Sequence, residues 1–383
     1  MKQTVNVARV LVGCLFIFSG LVKAIDPLGL AYKMQEFFEV WAAGGFFPSA
    51  MDWLYAHALL FSVLMITLEV VLGIALLLGW WKKTVSFFLL LLMLFFTFLT
   101  SYVLFSGKIR ACGCFGDCIP LTPIQTFTKD IILSVLVLLI VFGIKHIKPV
   151  FSNKVNLGLI LLSLFGVLGL QWYVLRHLPV IDCLPFKAGN NILELRKMPK
   201  DAVPDKYDYV FVYKKNGQLK EFNVNALPDS TWEFAERKQE LVEKGKNNIP
   251  LINDFSLTTL SGTDTTEALL NSAGEYYLLF MKEYPGDEEW SETTAYMAHR
   301  DKRIPHFVVT ARPKEMDNIF NKGRDPGGVQ ILGCDGTVIK TAARVNPTLY
   351  LMKGPVIQKK WSWADLKKVP QTGGLKSMTE TFK

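Results

Sequence analysis

Residues 58–81 read ALLFSVLMITLEVVLGIALLLGWW, and this stretch decides the class of fold. Its one ionisable side chain is Glu69. A helix needs about 20 apolar residues to cross a hydrocarbon core, and this run exceeds that. Working outward, four comparable runs occupy 7–24, 85–105, 128–144 and 155–175. After residue 178 the pattern changes to that of an ordinary soluble domain. The expected architecture is an α-helical membrane bundle, a four-helix unit plus a fifth transmembrane helix, followed by an α/β domain. Half of the 383 residues are hydrophobic and only 20% are charged, as an average over two solvents requires.

The net charge of +8 does not indicate a nucleic-acid partner. Much of the basic excess sits in short connections beside apolar runs, where the positive-inside rule explains it. No aromatic-basic nucleic-acid motif accompanies it. Lys2 and Arg9, Lys82 and Lys83, and Lys145, Lys148 and Lys154 all fall on one side of a bilayer if the N-terminus is cytoplasmic. Lys33, Lys108 and Arg110 lie in the opposite loops, together with Glu36, Glu39 and Asp52. Five spans then put the C-terminal half in the periplasm of a bacterial inner membrane. The first run resembles a signal sequence, but Lys23-Ala24-Ile25-Asp26-Pro27 is no small-residue cleavage site, so it is expected to stay as a mature helix. Met34, Phe37, Phe38 and Trp41 have helical spacing and predict an amphipathic helix on the outer surface. Trp80-Trp81 and Trp172-Tyr173 suit interfacial anchoring in the lipid bilayer.

The sharpest motif is Cys112-Gly113-Cys114-Phe115-Gly116-Asp117-Cys118, in the loop after the third run. On the oxidising side, cysteines form disulfides or do redox chemistry. Three cysteines cannot all pair with one another. Cys183, just past the fifth run, is the fourth candidate of the group, and four cysteines allow three pairings. A Cys112–Cys114 bond would close a small, strained and labile ring; Cys118 pairs more easily with either. Three readings of the loop follow. It exchanges disulfides, it is a structural staple to helix four or to Cys183, or it binds a metal. The absence of histidine from the loop weighs against a metal.

Phe18-Ser19-Gly20-Leu21-Val22-Lys23-Ala24-Ile25-Asp26-Pro27-Leu28-Gly29, Glu69, and Cys112-Gly113-Cys114-Phe115-Gly116 together resemble the DoxX-like and methylamine-utilisation MauE-like membrane families. The resemblance covers about the first 150 residues. It implies a four-helix membrane module linked to periplasmic redox maturation or respiratory electron transfer; MauE-like proteins are associated with maturing a disulfide-rich dehydrogenase. An ionisable group inside a bilayer is costly and often functional, so Glu69 is a candidate proton acceptor in quinone-coupled chemistry. Its alternative is a hydrogen-bonded packing role against Thr97 or Thr100. Cys14 reads as a small packing residue.

In the soluble half, residues 209–224 read as a β-hairpin around Asn216-Gly217. Ser230-Thr231-Trp232-Glu233 reads as a capping box opening a helix toward Gly245. Beyond residue 249 the expected order is strand 275–281, helix 289–299, strand 305–310, helix 314–321, a final hairpin and a short helix at 363–368. Arg344-Val345-Asn346-Pro347-Thr348, followed by Leu349 to Leu351 and Lys353-Gly354-Pro355-Val356, is similar to the thioredoxin fold. The resemblance implies that Pro347 is cis and borders a docking face. Where that family carries CxxC, this chain has Glu283-Tyr284-Pro285-Gly286-Asp287-Glu288-Glu289-Trp290, so no dithiol exchange is available there. Cys334 reads as an inert lone thiol.

The domains expected are 1–150 (four-helix membrane domain), 151–178 (fifth transmembrane helix), 179–248 (connecting module) and 249–383 (thioredoxin-like domain without CxxC). The expected function is a membrane-bound periplasmic thiol–disulfide redox or maturation factor. Cys112, Cys114, Cys118 and Cys183 carry the redox chemistry, and the last domain docks a periplasmic client protein. With no haem or nucleotide motif, a quinone is the expected electron acceptor. The competing class is a non-enzymatic membrane scaffold with structural cysteines.

Overall fold

The computed structural model describes residues 2–109, 113, 115–243, 245, 247–322 and 329–370. The first part is helical: α1 (Lys2–Ala24), α2 (Pro27–Ala43), α3 (Pro48–Ala56), α4 (Ala58–Leu78), α5 (Lys82–Ser106), α6 (Pro123–Phe142) and α7 (Asn153–Arg176). Of these, α1, α4, α5, α6 and α7 are long and apolar enough to cross a membrane. The sequence locates all five.

Helices α1 and α4 meet at two glycines. A Cβ added at Gly73 would lie 2.9 Å from the Gly13 carbonyl oxygen, and one at Gly13 would lie 3.1 Å from that of Gly73. Small residues let helix backbones approach this closely in a membrane, where packing replaces the hydrophobic drive. The crossing also brings Ser19 and Lys23 of α1 against Glu69 of α4. At one end of the bundle, Arg9 donates to the carbonyls of Leu76 and Leu77, and Lys82 to that of Ile147 at 2.8 Å. Cations there meet the carbonyl end of α4 and the turn after α6.

The segment 27–55 forms two helices rather than one. Asp26 caps α2 by accepting the Gly29 N–H at 3.0 Å, with Pro27 in the first turn. Phe37 is buried with Leu99, Val103 and Ile109, and Trp41 packs on Tyr102. This amphipathic face is therefore spent against α5, within the protein.

After the short α8 (Ile192–Leu195), β1 (Lys206–Lys215), β2 (Gln218–Asn223) and β3 (Glu233–Glu243) form an antiparallel sheet in the order β2-β1-β3. The hairpin is the expected one. The helix expected from Ser230 is not formed: that segment is β3. Glu, Arg, Lys and Gln favour a helix locally, but pairing with β1 satisfies a whole ladder of backbone groups that a helix would leave open. Phe234 packs on Tyr213 and Phe211 across that ladder. The apparent capping box is instead a turn in which Asp229 accepts the Thr231 N–H at 3.0 Å.

The last part contains α9 (Thr266–Leu270), β4 (Glu275–Met281), α10 (Asp287–His299), β5 (His306–Thr310), α11 (Pro313–Asp317), β6 (Gln330–Gly333), α12 (Gly336–Ala342), β7 (Thr348–Lys353) and β8 (Val356–Ser362). The sheet order is β6-β5-β4-β7-β8. Strands β4, β5 and β6 are parallel, and β7 and β8 antiparallel. Central strand β4 is apolar on both faces. Tyr276, Leu278 and Phe280 enter one core, and Tyr277, Leu279 and Met281 the other, as a strand covered on both sides requires. Sequence reading omits β6 and α12, because four residues of strand carry too little periodicity to register. The expected architecture, a helical membrane bundle followed by an α/β domain, is the one observed.

Candidate functional site

Cys118, in the loop before α6, is bonded to Cys183, in the segment after α7, with a Cα–Cα distance of 4.9 Å. The residue before each cysteine is an aspartate, and each aspartate is held by a cation of the α/β domain. Arg344 Nη2 donates to Asp117 at 2.7 Å, and its Nε to Asp26 at 2.9 Å. Lys360 Nζ, on β8, donates to Asp182 at 2.7 Å. Asp26, Asp117 and Asp182 line one small cavity with both sulfur-bearing residues. Its volume of about 20 Å³ is enough for one water. Burial pushes the Asp26 carboxyl up, with Arg344 opposing. Burial lowers the Lys360 ammonium, and Asp182 opposes that.

Beside this cluster lies Tyr32 of α2. Its ring has Arg344 at 5.4 Å, Lys340 at 5.5 Å and Lys282 at 5.7 Å from its centroid, a concentration of cations around one aromatic ring. Lys282 Nζ donates to the Tyr32 hydroxyl at 2.9 Å and to the Arg344 carbonyl at 3.2 Å. Burial, and then Arg344, push Lys282 down to about 8. Burial pushes the Tyr32 phenol up to about 12. Lys282 directly follows β4, at the start of the segment where a dithiol is missing. Asn346 ties this segment down by accepting the Lys282 N–H at 2.8 Å and donating to the Glu283 carbonyl at 3.1 Å. The Asn346–Pro347 peptide is cis. Pro347 is buried, and its carbonyl accepts the Trp363 N–H. Beside it, Arg344 and Lys282 hold α2 and the cysteine loop. Further contacts join the two parts, Arg176 to Glu288 and His177 Nδ1 to Asp365 at 2.9 Å.

A second polar centre lies inside the bundle. Ser19 Oγ donates to Glu69 at 2.8 Å, and Lys23 pairs with the same carboxylate. Both charged residues are buried. The expected partners, Thr97 and Thr100, are elsewhere: Thr97 meets Ser134 at 3.1 Å, and Thr100 bonds carbonyls of its own helix. The reason is the α1–α4 crossing, which turns Glu69 toward α1. A cavity of about 20 Å³ joins Ser19 and Glu69 to Lys129, Asp130 and Phe115 of the cysteine loop. Asp130 is buried and pairs with Lys129 at 2.7 Å.

Of the cysteines singled out in the sequence, Cys118 and Cys183 are brought together, while Cys112 and Cys114 lie outside the described residues. Cys334 is half-buried against the core, and desolvation pushes its thiol up to about 12. Cys14 is exposed on α1 instead of packed within the bundle. In the sequence Asp26 and Arg344 stand out only as parts of family motifs, and Tyr32, Lys282 and Lys360 not at all. The available signal was the aspartate before each of Cys118 and Cys183.

Residues 1–144 match the family described as methylamine utilisation protein MauE, and residues 207–244 match a domain of unknown function, DUF8463. The part of the chain from α1 to α6 is thus MauE-like. Among curated proteins, Protein TlpB of Flavobacterium psychrophilum is 30% identical over 162 residues, which is 42% of this chain and 42% of that protein. The chain therefore matches less than half the length of that relative. No solved structure matches.

Proposed function

We propose that this chain is a membrane-bound thiol–disulfide redox or redox-maturation factor of a bacterial inner membrane. On this reading its N-terminus is cytoplasmic and its α/β domain periplasmic. Residues 1–150 are the four-helix membrane domain, 151–178 add a span, 179–248 connect, and 249–383 form a thioredoxin-like domain that serves a periplasmic client protein. Support for that last assignment comes from the parallel β4–α10–β5 unit and the β7–β8 hairpin entered through cis-Pro347.

The observation that carries the reading is the Cys118–Cys183 bond, set where the cysteine loop meets the α/β domain. It uses two cysteines of the group, and Cys112 and Cys114 are the pair that exchanges with it. Oxidising two thiols to a disulfide releases two electrons and two protons. A quinone would supply the two-electron sink, with Glu69 accepting protons within the bundle and passing them on to it. A second reading draws on the same bond: a staple that fixes the loop in a non-enzymatic scaffold.

Thiol trapping separates the two. Cells are acid-quenched and free thiols alkylated with a heavy maleimide, comparing wild type with Cys112→Ser, Cys114→Ser and Cys118→Ser. Redox function gives a mixed population in wild type and at least one variant trapped as a mixed disulfide. A fully oxidised wild type, unmoved by blocking respiration, with adduct-free variants, leaves the scaffold.

A further inference from the structure

We propose that Arg344 and Lys360 are positioning residues for the Cys118–Cys183 disulfide, tuning its reactivity by neutralising the carboxylates that flank it. The inference rests on the redox reading of that bond and adds what the α/β domain contributes to its chemistry.

The charges decide the sign. Asp26, Asp117 and Asp182 border one cavity with the two bonded cysteines. Without the α/β domain these carboxylates would place three negative charges around the sulfurs. Arg344 answers Asp26 and Asp117, and Lys360 answers Asp182. The Arg344 and Lys360 side chains are only 9% and 5% exposed, so solvent screens them little. With both in place the net charge around the bond falls from −3 to −1.

In thiol–disulfide exchange an incoming thiolate attacks one sulfur, the Cys118–Cys183 bond breaks and a mixed disulfide forms. The other sulfur leaves as a thiolate and takes a proton from water. A dithiol reductant then closes on itself, oxidised by two electrons, and the protein pair is left as two thiols. Both the attacking and the leaving sulfur are anions. Nearby cations therefore speed the step twice over, by drawing in the nucleophile and by stabilising the leaving group. The two cations come from separate places in the domain, Arg344 just before β7 and Lys360 on β8, so docking delivers both together.

The test uses the full chain in lipid nanodiscs with Cys14, Cys112, Cys114 and Cys334 replaced by Ser, leaving this one pair. Reduction by dithiothreitol is followed by quenching with a heavy maleimide. Arg344→Gln and Lys360→Gln should each slow reduction, roughly threefold to tenfold for one charge at this range. Lys360→Arg should keep the original rate, and adding Asp182→Asn to Lys360→Gln should restore it. A purely structural clamp would not be repaired by removing its second partner. Unchanged rates, faster reduction from simple exposure of the bond, or failure of Asp182→Asn to restore the rate would overturn the proposal. Failure of the redox reading looks different: the bond never cycles in cells, whatever the chemical rates.

Discussion

Arg344 of the α/β domain and Asp117 of the cysteine loop are 227 positions apart in the chain and 2.7 Å apart in space. The same guanidinium reaches Asp26, at the start of α2. One side chain thus joins three pieces of chain: the α1–α2 junction, the loop beside the disulfide, and the approach to β7. Burial would strip Arg344 of its hydration, but Asp26 and Asp117 hold it charged. A planar fork suits this task, since it can serve two carboxylates at once.

Stability should depend on pH through Lys282 and Tyr32. In the folded chain Lys282 loses its proton at about 8, below the ordinary 10.5. Between those values the unfolded chain binds more protons, so stability rises with pH across that window. Tyr32 holds its proton to about 12, against an ordinary 10. Above pH 10 the folded chain binds more protons, and stability falls. Cys334, held to about 12 against an ordinary 9, opposes the climb from pH 9 upward, so the unfolding midpoint in detergent should climb from pH 8, level off above 9 and turn down beyond 10. Lys282→Met should flatten the climb and keep the downturn; a climb of full size in that variant would show that another group controls it.

The Lys23–Glu69 pair should behave as a unit. Removing one partner leaves the other charged and buried, at a cost of about 3–5 kcal/mol. Replacing both by apolar residues removes the uncompensated charge. Lys23→Met and Glu69→Leu should each lower thermal stability more than the two together. Equal and additive losses would mean that the two charges do not depend on each other.

Cys334 should be chemically quiet. Its thiol is pushed up to about 12 by burial, so almost none is thiolate near neutrality. Alkylation of the folded chain at pH 8 should be at least about tenfold slower there than at a free cysteine in a denatured control. Rapid labelling would show that the core around it opens.

The orientation proposed above is testable with fusions. Arg9, Lys82 and Lys148 share one end of the bundle, and the α/β domain meets the other through Asp26 and Tyr32. Alkaline phosphatase, active only in the periplasm, should work when fused after Lys383 and fail when fused at Lys148. The reverse pattern would put the cysteine loop in a reducing compartment.

Apolar runs made the five long helices legible, because a bilayer leaves little freedom in composition. Strand β4 was legible for a similar reason, being buried on both faces. Strand β3 was not: its residues favour a helix, and only the partner strand decides otherwise. Cysteine spacing marked the site, but three pairings were open, and choosing Cys118–Cys183 needed the fold. The cations were hidden for the same reason. Nothing local in Arg344 or Lys360 points to partners 227 and 178 positions away.

The bond between Cys118 and Cys183 spans 65 positions of sequence, and α6, α7 and the turn between them lie inside that loop. Lys145 and Lys148 in the turn are exposed. A protease that cuts there yields two fragments, one with four of the long helices and the other with α7 and the α/β domain. The bond keeps the fragments on one covalent thread, so they migrate as one species until a reductant is added. A nicked chain held in this way reports the state of its own disulfide on a gel, without any label.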